Sequence, residues 1–425
     1  MHRKKVVKQN DQVKLFLDPS LLAGGFSIGD LIREMRLQVG AMGLSAGTLL
    51  VQKLIEAEVK HLVGERYERD EAKHYVWGKQ DGCVMLGGQK VRIEHDRVRR
   101  HRGRGGEVEL ESYRRFQQDD ERTRRVFANL LSSVSCRDYR RALETMQEGY
   151  GISKSVVSRE MITATEGQLE QLTNRRLKDV DLLVLVIDGI EVDDTVFIAA
   201  LGIDRQGVKH LLGFREGGTE NADVCVALLE NLQERGLRMD RAVLAVLDGS
   251  KALRAAVKRF FGQRALIQRC QEHKIRNVKS HLSKKYHREI EQKLRAAYKM
   301  KEYDDAMEAI QGVLRYLERI NESAAKSLRE GLEETLTVHR LELPDVLRQT
   351  LSSTNTIESA YSRHRHITRN VKRWRNNKQK GRWTATALLE AERSFRRIKG
   401  YRSIPVLISN LEALVNEEMK HNEAA

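Results

Sequence analysis

Two stretches of unbroken apolar residues lie along the chain, and each is followed by Asp-Gly. The first, Leu182–Ile187, leads into Asp188, and the second, Ala242–Leu247, leads into Asp248. Six consecutive apolar residues with β-branched side chains among them predict a strand that is covered on both faces. A charged carboxylate at the end of such a strand is costly unless a cation or a donor compensates it. The repeated pattern therefore suggests two aspartates at one site that holds divalent metal.

Each aspartate also has an ordinary structural explanation. Asp-Gly is a strong hairpin signal, so Asp188-Gly189 would form a type I′ turn between two short strands. A turn at Asp193-Asp194 leaves strands of more even length, and we favour it. Asp248 would serve as the N-cap of the helix that follows, which is a common and inert role. The pattern alone leaves both explanations open.

Alternating strands and helices are predicted by the apolar pattern between residues 178 and 268. The predicted strands are 181–192, 195–203, 208–214, 242–247 and 265–268, and the predicted helices between them are 222–235 and 251–261. Residues 283–340 predict helices only. Three antiparallel strands, then a helix and a parallel strand, fit the ribonuclease H-like order. In that order the first and fourth strands are neighbours, which would place Asp188 and Asp248 side by side.

The N-terminal part predicts helices and one hairpin. We expect a helix over 45–69 with Leu49, Leu50, Leu54, Ile55 and Val59 on one face, and a hairpin over 82–94 around Gly87-Gly88. The Arg/Gly stretch 102–106 is the clearest linker candidate. A helix over 138–147, a turn at 150–152 and a helix over 153–161 that begins at Ser153 resemble a helix-turn-helix. Its second helix offers Lys154, Ser155 and Arg159 to DNA, although many helix pairs only pack.

Positive charge is concentrated near the C-terminus. The chain has a formal net charge of +16, and residues 359–402 hold 14 Lys and Arg against Glu390 and Glu392. Most charge runs are solvated faces, but an excess in one stretch favours a surface that binds phosphates. The predicted DNA-binding residues here are Arg363, Arg365, Arg369, Lys372, Arg373, Arg375 and Arg382. Trp374 and Trp383 among them would stack on an unpaired base or anchor the helix in the core.

A third carboxylate, Glu358, is predicted to lie at the start of this basic region. Asn355 as N-cap with Glu358 three residues later would make an ordinary capping box. Alternatively, Glu358 opens a helix that runs straight into the basic stretch. A carboxylate at the head of that helix and arginines along it suit a site that cuts a phosphodiester.

Composition excludes several other classes. No apolar run reaches the 18 or more residues of a membrane span, and the basic start Met1–Lys5 lacks the apolar segment of a secretory signal. The four cysteines, Cys83, Cys136, Cys225 and Cys270, form no Cys-x-x-Cys pair, which argues against a zinc ribbon and for a reducing compartment. We therefore expect a cytoplasmic protein associated with the nucleoid. No phosphate-binding loop is present, so no nucleotide cofactor is expected.

Seven segments in fixed order resemble one known family, the mutator-type transposases of prokaryotic insertion sequences, which have a ribonuclease H-like DDE catalytic domain. The segments are Val186–Ile190, Leu247–Lys251, Cys270–Lys274 with Arg276–Val278, Ser353–Ser359, Asn370–Trp374, Arg382-Trp383 and Phe395–Arg397. The resemblance runs from about Arg137 to Leu407. The Cys-x-x-His pair after the second aspartate is among its more specific marks.

The resemblance implies a catalytic triad of Asp188, Asp248 and Glu358 that binds Mg²⁺ or Mn²⁺, two ions, with Asp188 bridging them. It implies cleavage at the element's ends and transfer of the freed 3′-hydroxyl to another phosphodiester. His273 and Asn355 are expected to contact the scissile phosphate or to hold a metal-binding carboxylate, and for His273 a packing role is equally open. The partner is double-stranded DNA, both element ends and target. Because two ends must be paired, we expect a homodimer or a larger assembly on DNA.

These predictions define a domain plan. It comprises an N-terminal helical and hairpin region (1–105), a helix-turn-helix-like domain (106–180), the first part of an α/β catalytic core of ribonuclease H-like type (181–282), an all-helical insertion (283–350), the second part of the core with a basic helix (351–402) and a tail (403–425). Two other functions stay open. A structure-specific nuclease or resolvase would share the carboxylates, and a DNA-binding regulator would have no catalytic use for Asp188.

Overall fold

The computed structural model describes residues 28–64, 74–86, 89–100, 106–117, 154–369, 371 and 373–424. The chain divides into two compact units, Met1–Ala164 and Thr165–Ala425. The predicted helix 138–147 and the turn at 150–152 lie outside the described residues. The second helix of that pair is confirmed and is longer than predicted, because it spans Lys154–Asn174.

In the ranges that the structure describes before Lys154, the N-terminal unit contains a three-stranded antiparallel sheet and two helices. The elements are α1 (Ile28–Val63), β1 (His74–Leu86), β2 (Gln89–Arg100), β3 (Glu107–Val108) and α2 (Glu111–Gln117). The hairpin is longer than the predicted 82–94, and His74 pairs with Arg100 at its open end. The domain boundaries predicted from the sequence stay predictions.

Only part of the apolar face predicted for α1 is buried. Val51, Ile55 and Val59 are buried and follow a four-residue spacing, so they lie on one side of the helix. Leu49, Leu50 and Leu54 are exposed, although the sequence pattern had placed all three on the buried face. The helix also begins earlier and ends at Val63, next to Gly64, whose φ of 77° helical residues do not adopt.

A five-stranded sheet forms the centre of the second unit. Its strands are β4 (Leu182–Val192), β5 (Thr195–Asp204), β6 (Lys209–Glu216), β7 (Val243–Leu247) and β8 (Ala265–Arg269), arranged in the order β6-β5-β4-β7-β8. β4, β5 and β6 pair antiparallel, whereas β7 is parallel to β4 and to β8. All five predicted strands are therefore present, within two residues of the predicted ends.

Helices cover both faces of this sheet and continue beyond it. The helices are α3 (Lys154–Asn174), α4 (Ala222–Glu234), α5 (Lys251–Phe261), α6 (Gln271–Ser280), α7 (Lys284–Lys299), α8 (Tyr303–Ile320), α9 (Glu322–Arg329), α10 (Thr337–Arg340), α11 (Asp345–Leu351), α12 (Asn355–Thr368), α13 (Asn377–Arg393) and α14 (Ile404–Ala424). Residues 283–340 contain helices and no strand, as predicted, and α7 to α9 build a core of their own with α6. Over the described ranges, no helix is both long and apolar enough to cross a membrane.

The turn after β4 is at Asp193-Asp194, so the hairpin explanation of Asp188-Gly189 is wrong. Val192 pairs with Thr195, and Asp193 adopts φ 59°. The buried ammonium of Lys380 forms ion pairs with Asp193 and Asp194 and also donates to the Thr195 hydroxyl. These two acidic residues are thus held by a lysine.

Alternate residues of β4 face different cores. Val184 and Val186 pack in the core that contains α12 and α13, whereas Leu185 and Ile187 pack in the core that contains α4 and α5. Because side chains alternate along a strand, Asp188 lies on the α12 side. In β7 the same alternation places Asp248 on that side as well.

Candidate active site

Asp188 lies within β4 and is almost completely buried. The residue is 5 % exposed, and its Oδ1 accepts a hydrogen bond of 2.9 Å from the backbone N–H of Gly189. The phenol of Tyr361, on α12, donates to the backbone carbonyl of Asp188 across 2.7 Å. This hydrogen bond fixes α12 against the strand that carries the aspartate.

Asp248 follows the last residue of β7 and is half-buried. Ile187 pairs with Leu247 in the parallel ladder, so Asp188 and Asp248 follow neighbouring positions on adjacent strands. The Asp248 carboxylate accepts from the Thr219 hydroxyl (2.7 Å) and from the Ser250 backbone N–H (2.9 Å). Ser250, and not Asp248, is the N-cap of α5, because its hydroxyl accepts from the backbone of Leu253. The capping explanation for Asp248 is therefore wrong.

Glu358 lies in the first turn of α12, where a helix N-terminus favours negative charge. The helix begins at Asn355 with Thr354 before it, and no side chain caps it. Since Asn355 is inside the helix, the predicted capping box with Glu358 does not form. The Thr354 hydroxyl lies 3.4 Å from Oε1 of Glu358 and 3.4 Å from Nδ1 of His273.

His273 approaches this site from the first turn of α6, which begins directly after β8. Cys270, the residue before the helix, is buried, and its sulfur lies 3.4 Å from the backbone nitrogen and 3.5 Å from the hydroxyl of Thr354. Thr354 thus contacts both members of the Cys-x-x-His pair and also Glu358. His273 therefore lies beside the predicted carboxylates, and its role stays a prediction.

Asp188, His273 and Glu358 form one group whose ligand atoms all lie within 4.8 Å of one another. Asp248 lies outside this group, since its carboxylate is bound to Thr219 and Ser250. Burial raises the pKa of Asp188 to about 6, opposed by His273, Thr354 and the Gly189 N–H. Cys270 and Asp188 raise the pKa of His273 to about 9, despite its partial burial. A buried anion is thus partly balanced by a neighbouring cation.

This donor set suits a divalent cation. Carboxylate oxygens are the ligands that Mg²⁺ and Mn²⁺ prefer, and an imidazole nitrogen also binds Mn²⁺. Asp188 is a carboxylate whose charge is stripped of water, and such a group favours the approach of positive charge. Asp248, directly after the adjacent strand β7, could join the group by exchanging its hydroxyl and N–H partners for the ion.

Comparison with known proteins identifies the family. The family model described as transposase, Mutator family, matches residues 38–397, which is most of the chain. The chain belongs to this family. A probable insertion-sequence transposase of Corynebacterium diphtheriae is 28% identical over 250 residues, 56% of this chain and 71% of that protein. The transposase of IS256 in transposon Tn4001 of Staphylococcus aureus is 24% identical over 328 residues, 73% of this chain and 80% of that protein. The ISRM5 transposase of Rhizobium meliloti is 26% identical over 323 residues, 73% of this chain and 77% of that protein.

The predicted basic helix of this Mutator-family chain is two helices. α12 ends at Thr368, and α13 begins after Asn376, whose side chain accepts from the backbone N–H of Gln379 as an N-cap. Residues 373–376 between them are not helical. The sequence pattern missed this break because arginine and lysine continue through it, and both favour helices.

The predicted DNA-binding residues of the Mutator-family chain have different surroundings. Arg363 and Arg365 are exposed on α12, and Arg369 is exposed directly after its last residue. Arg373 and Arg375 are exposed in the connection that follows. Arg382 is only partly exposed and is paired with Glu166 at 3.2 Å. Arg159 is exposed on α3, where Lys154 and Ser155 also lie, whereas Lys372 is outside the described residues.

The three remaining predicted site residues are Trp374, Trp383 and Asn355. Trp374 is half-buried and packs against the core, which supports its anchoring role, and Trp383 is half-buried on α13. Asn355 is exposed, and its backbone N–H lies 3.4 Å from the Ser353 hydroxyl. Asn355 therefore stands at the entrance to the helix that carries Glu358.

Three residues that sequence reasoning did not select contact the predicted catalytic residues, through the side chain or the backbone. They are Thr354, Tyr361 and Thr219. Tyr361 could have been found, since it follows Glu358 by three residues and so lies on the same side of a helix. Thr354 stands inside a segment already chosen for its resemblance to the family. Thr219 carries no local signal, because only the fold brings it to Asp248.

Proposed function

We propose that the chain is a DNA transposase that binds the terminal inverted repeats of its element and performs metal-dependent strand cleavage and strand transfer. Cleavage forms a bond from water to phosphorus and breaks the bond to the 3′ oxygen, and transfer repeats the exchange with that 3′-hydroxyl as nucleophile. The observation that carries the proposal is the group of Asp188, Glu358 and His273 beside Asp248, in a chain of the Mutator family.

The strand order supports a ribonuclease H-like catalytic core of the DDE type. Across the central sheet, the strands lie in the order third, second, first, fourth and fifth, counted by their position in the chain. The first three strands pair antiparallel, and the last two add to the first in parallel. Ligands of open α/β sheets bind outside the carboxyl ends of the parallel strands, which is where Asp248 follows β7 and Cys270 follows β8. The helical block from Lys284 to Arg340 stands between the second and third carboxylates as an insertion would.

Asp188, Asp248 and Glu358 are the proposed ligands of Mg²⁺ or Mn²⁺, with two ions expected. Ions held there would activate the attacking oxygen and stabilise the leaving oxygen. The protein's part is to hold the carboxylates at a fixed spacing, through the Tyr361 hydrogen bond on one side and the β4–β7 ladder on the other. His273 adds a positive charge next to Asp188 and is within reach of a phosphate at the carboxylates.

DNA is the proposed partner, and the exposed arginines of α12 and of the connection after it are the proposed phosphate contacts. Arg365 and Arg369 are one helical turn apart, so they share a face of α12 and match successive phosphates better than a scattered set. Residues 106–180 are proposed to read the repeats with a helix-turn-helix-like pair. Since two ends must be joined, a homodimer or larger assembly on DNA is proposed.

The test is nicking of a duplex that carries the element's end, taken from inverted repeats that flank the gene. With Mg²⁺ or Mn²⁺ the chain is expected to nick this DNA, and Asp188→Asn and Glu358→Gln are expected to lower the rate at least about 10³-fold. EDTA should abolish nicking in the parent.

Glu191→Gln is the matched control, because Glu191 lies on the same strand and is exposed. This variant should nick at the parent's rate. If Asp188→Asn and Glu358→Gln cut as well as the parent, the catalytic assignment fails. If the parent and the variants all bind the repeats but none of them nicks the DNA, a regulator without catalytic activity is the better description.

A further inference from the structure

A side cavity of about 240 Å³ lies between the helical block and the candidate active site. α6, α7, α11 and the start of α12 surround it, and its lining includes Gln271, Tyr298, Gln349, Ser352, Ser353 and Asn355. None of these residues belongs to the group of Asp188, His273 and Glu358. The cavity is therefore distinct from the proposed metal-binding group, and its possible occupant is a separate question.

The cavity adjoins that group through the chain itself. Gln271 and Glu272 line it and directly precede His273, while Ser353 and Asn355 line it on either side of Thr354. The backbone N–H of Gln271 donates to the Ser352 carbonyl across 3.0 Å, which ties the two walls together. A strand whose phosphate reaches Glu358 consequently has its next nucleotides within reach of the cavity.

The two arginines in the lining are already paired. Arg295 binds Glu272 through both terminal nitrogens and also binds Glu291. Arg348 is almost fully buried and donates to Asp345 and to the carbonyl oxygens of Lys299 and Lys301. What remains of the lining is amides, hydroxyls, Ile275, the ring of Tyr298 and one further cation, the exposed residue Lys299.

A neutral, hydrogen-bonding cavity suits a planar heterocycle better than a phosphate. Phosphate sites need unpaired cations or clustered backbone N–H groups. Both arginines here are committed, and the lysine of the lining, Lys299, is an exposed residue. Flipped bases, in contrast, are held by hydrogen bonds to their edges and by contact with aromatic or apolar side chains. At 240 Å³ the space is smaller than the usual cavity for a larger ligand, which limits the occupant to one base.

We propose that the side cavity receives one unstacked base of the DNA strand next to the scissile phosphate. This inference rests on the proposed function, since it requires that DNA be cut at the carboxylates. The base leaves the stack, its edge meets the amides of Gln349 or Asn355, and its face lies against the Tyr298 side of the cavity. The exposed amine of Lys299 then faces the phosphate that follows the base.

Photocrosslinking tests the location directly. The full chain is bound, with Ca²⁺ in place of Mg²⁺, to end duplexes that carry 5-iodo-2′-deoxyuridine at one position at a time across the cleavage site. One position adjacent to the scissile phosphate should crosslink to peptides containing Tyr298 or Gln349. Crosslinks that map only to other surfaces overturn the proposal.

A filled cavity provides the second test. Ser352→Leu adds an apolar side chain to the lining, and Thr350→Leu is its matched control. In both residues the hydroxyl donates to a carbonyl of the same segment, Gln349 O and Val346 O respectively, but Thr350 does not line the cavity. Ser352→Leu should reduce the crosslink and weaken end binding about tenfold, the size of one base contact, whereas Thr350→Leu should change neither.

An abasic nucleotide at the crosslinking position separates a base from a phosphate. With that DNA the parent and Ser352→Leu should bind equally, because the group that the leucine excludes is gone. A tenfold difference that persists on abasic DNA means that the cavity holds backbone phosphate, and the proposal is wrong. If the chain nicks its ends in the parent but Ser352→Leu has no effect on intact DNA, this inference fails while the proposed function stands. If no end DNA is bound, both fail.

Discussion

Asp188 and Asp248 follow similar apolar strands, yet their surroundings differ. Asp188 is inside β4, is 5 % exposed, and is covered by α12, whose Tyr361 donates to its backbone carbonyl. Asp248 has left β7 and is half-buried in a loop, where Thr219 and Ser250 hold its carboxylate. One aspartate is surrounded by core elements, and the other is held mainly by a loop.

The difference suggests that the Asp188 side of the site is rigid and that the Asp248 side is adjustable. A carboxylate in a packed strand cannot turn away, and His273 balances its charge only in part, so that charge costs free energy in the metal-free protein. A carboxylate in a loop can satisfy itself with nearby donors and release them when a cation arrives. At the proposed metal site, Asp188 would therefore set the position of the ion, and Asp248 would adapt to it.

The largest expected effect is on stability without metal. In EDTA at pH 7, Asp188→Asn should raise the free energy of unfolding by up to about 3 kcal/mol, because it removes a buried charge from a site of nearly the same shape. Asp248→Asn should change it by less than about 0.5 kcal/mol, since its oxygen can still accept from Thr219. Urea unfolding of both variants measures the difference.

Added Mn²⁺ should reverse the order of stability of the parent and Asp188→Asn. The parent should gain stability with rising Mn²⁺ concentration, whereas Asp188→Asn should gain almost none. Equal stabilities of the two variants in EDTA would show that burial does not distinguish the aspartates.

A pH titration tests the helix that covers Asp188. His364, on α12, is 2 % exposed, lies 3.3 Å from the Thr384 hydroxyl, and burial lowers its pKa to about 4. The unfolded chain therefore binds a proton near pH 6.5 that the folded chain does not take up until about pH 4. The stabilisation that neutral His364 contributes is fully present above pH 6.5. It falls between pH 6.5 and 4 and does not change further below pH 4.

The expected loss is about 2 kcal/mol, less than the full pKa difference implies, because the Thr384 hydroxyl can rotate to accept from the imidazolium. His364→Gln should remove this part of the pH dependence when unfolding is followed from pH 7 to 4. His339, another buried histidine with a pKa lowered to about 4, titrates in parent and variant alike and cancels in the comparison. Parallel curves for parent and variant would contradict the assignment.

Much of this architecture could be predicted from the sequence, since it depends on local patterns. The apolar runs marked β4 and β7, and even strand length favoured the turn at Asp193-Asp194 over one at Asp188-Gly189. The helical block after residue 283 was predicted by the lack of strand signals. The pairing of neighbouring parallel strands then followed from their order.

Contacts between distant segments could not be predicted. Tyr361 and Asp188 are 173 residues apart, and Thr219 and Asp248 are 29 apart. Their meeting depends on how helices and loops pack against the sheet, about which residue type alone says little. The exposed leucines of α1 and the break before α13 were missed because hydrophobicity and propensity do not specify what a surface faces.

Tyr361→Phe separates the positioning of Asp188 from simple packing. The loss of the phenol leaves the Asp188 carbonyl without this donor in a buried place, so the free energy of unfolding should fall by about 1.5 kcal/mol. Mn²⁺ affinity should fall about tenfold, because the helix that carries Glu358 is no longer fixed to β4.

Tyr316→Phe is the matched control, since its phenol donates to Glu289 in the helical block at 3.1 Å and is far from the carboxylates in the chain. It should leave Mn²⁺ affinity unchanged and cost less than about 0.5 kcal/mol. Equal Mn²⁺ affinities for Tyr361→Phe and the parent would reduce Tyr361 to a packing residue.

Thr219→Val should have the smallest effect and a revealing sign. The variant removes the 2.7 Å hydrogen bond that holds Asp248 in the metal-free protein, while the Ser250 N–H remains. If the loop competes with metal for Asp248, Mn²⁺ affinity should rise two- to fivefold, a change of up to about 1 kcal/mol. Isothermal titration with Mn²⁺ measures it, and Thr219→Ser, which keeps the hydroxyl, should match the parent. A fall in affinity with Thr219→Val would mean that Thr219 orients Asp248 for the ion, so that both aspartates would be held in place and the contrast between them would lie in burial alone.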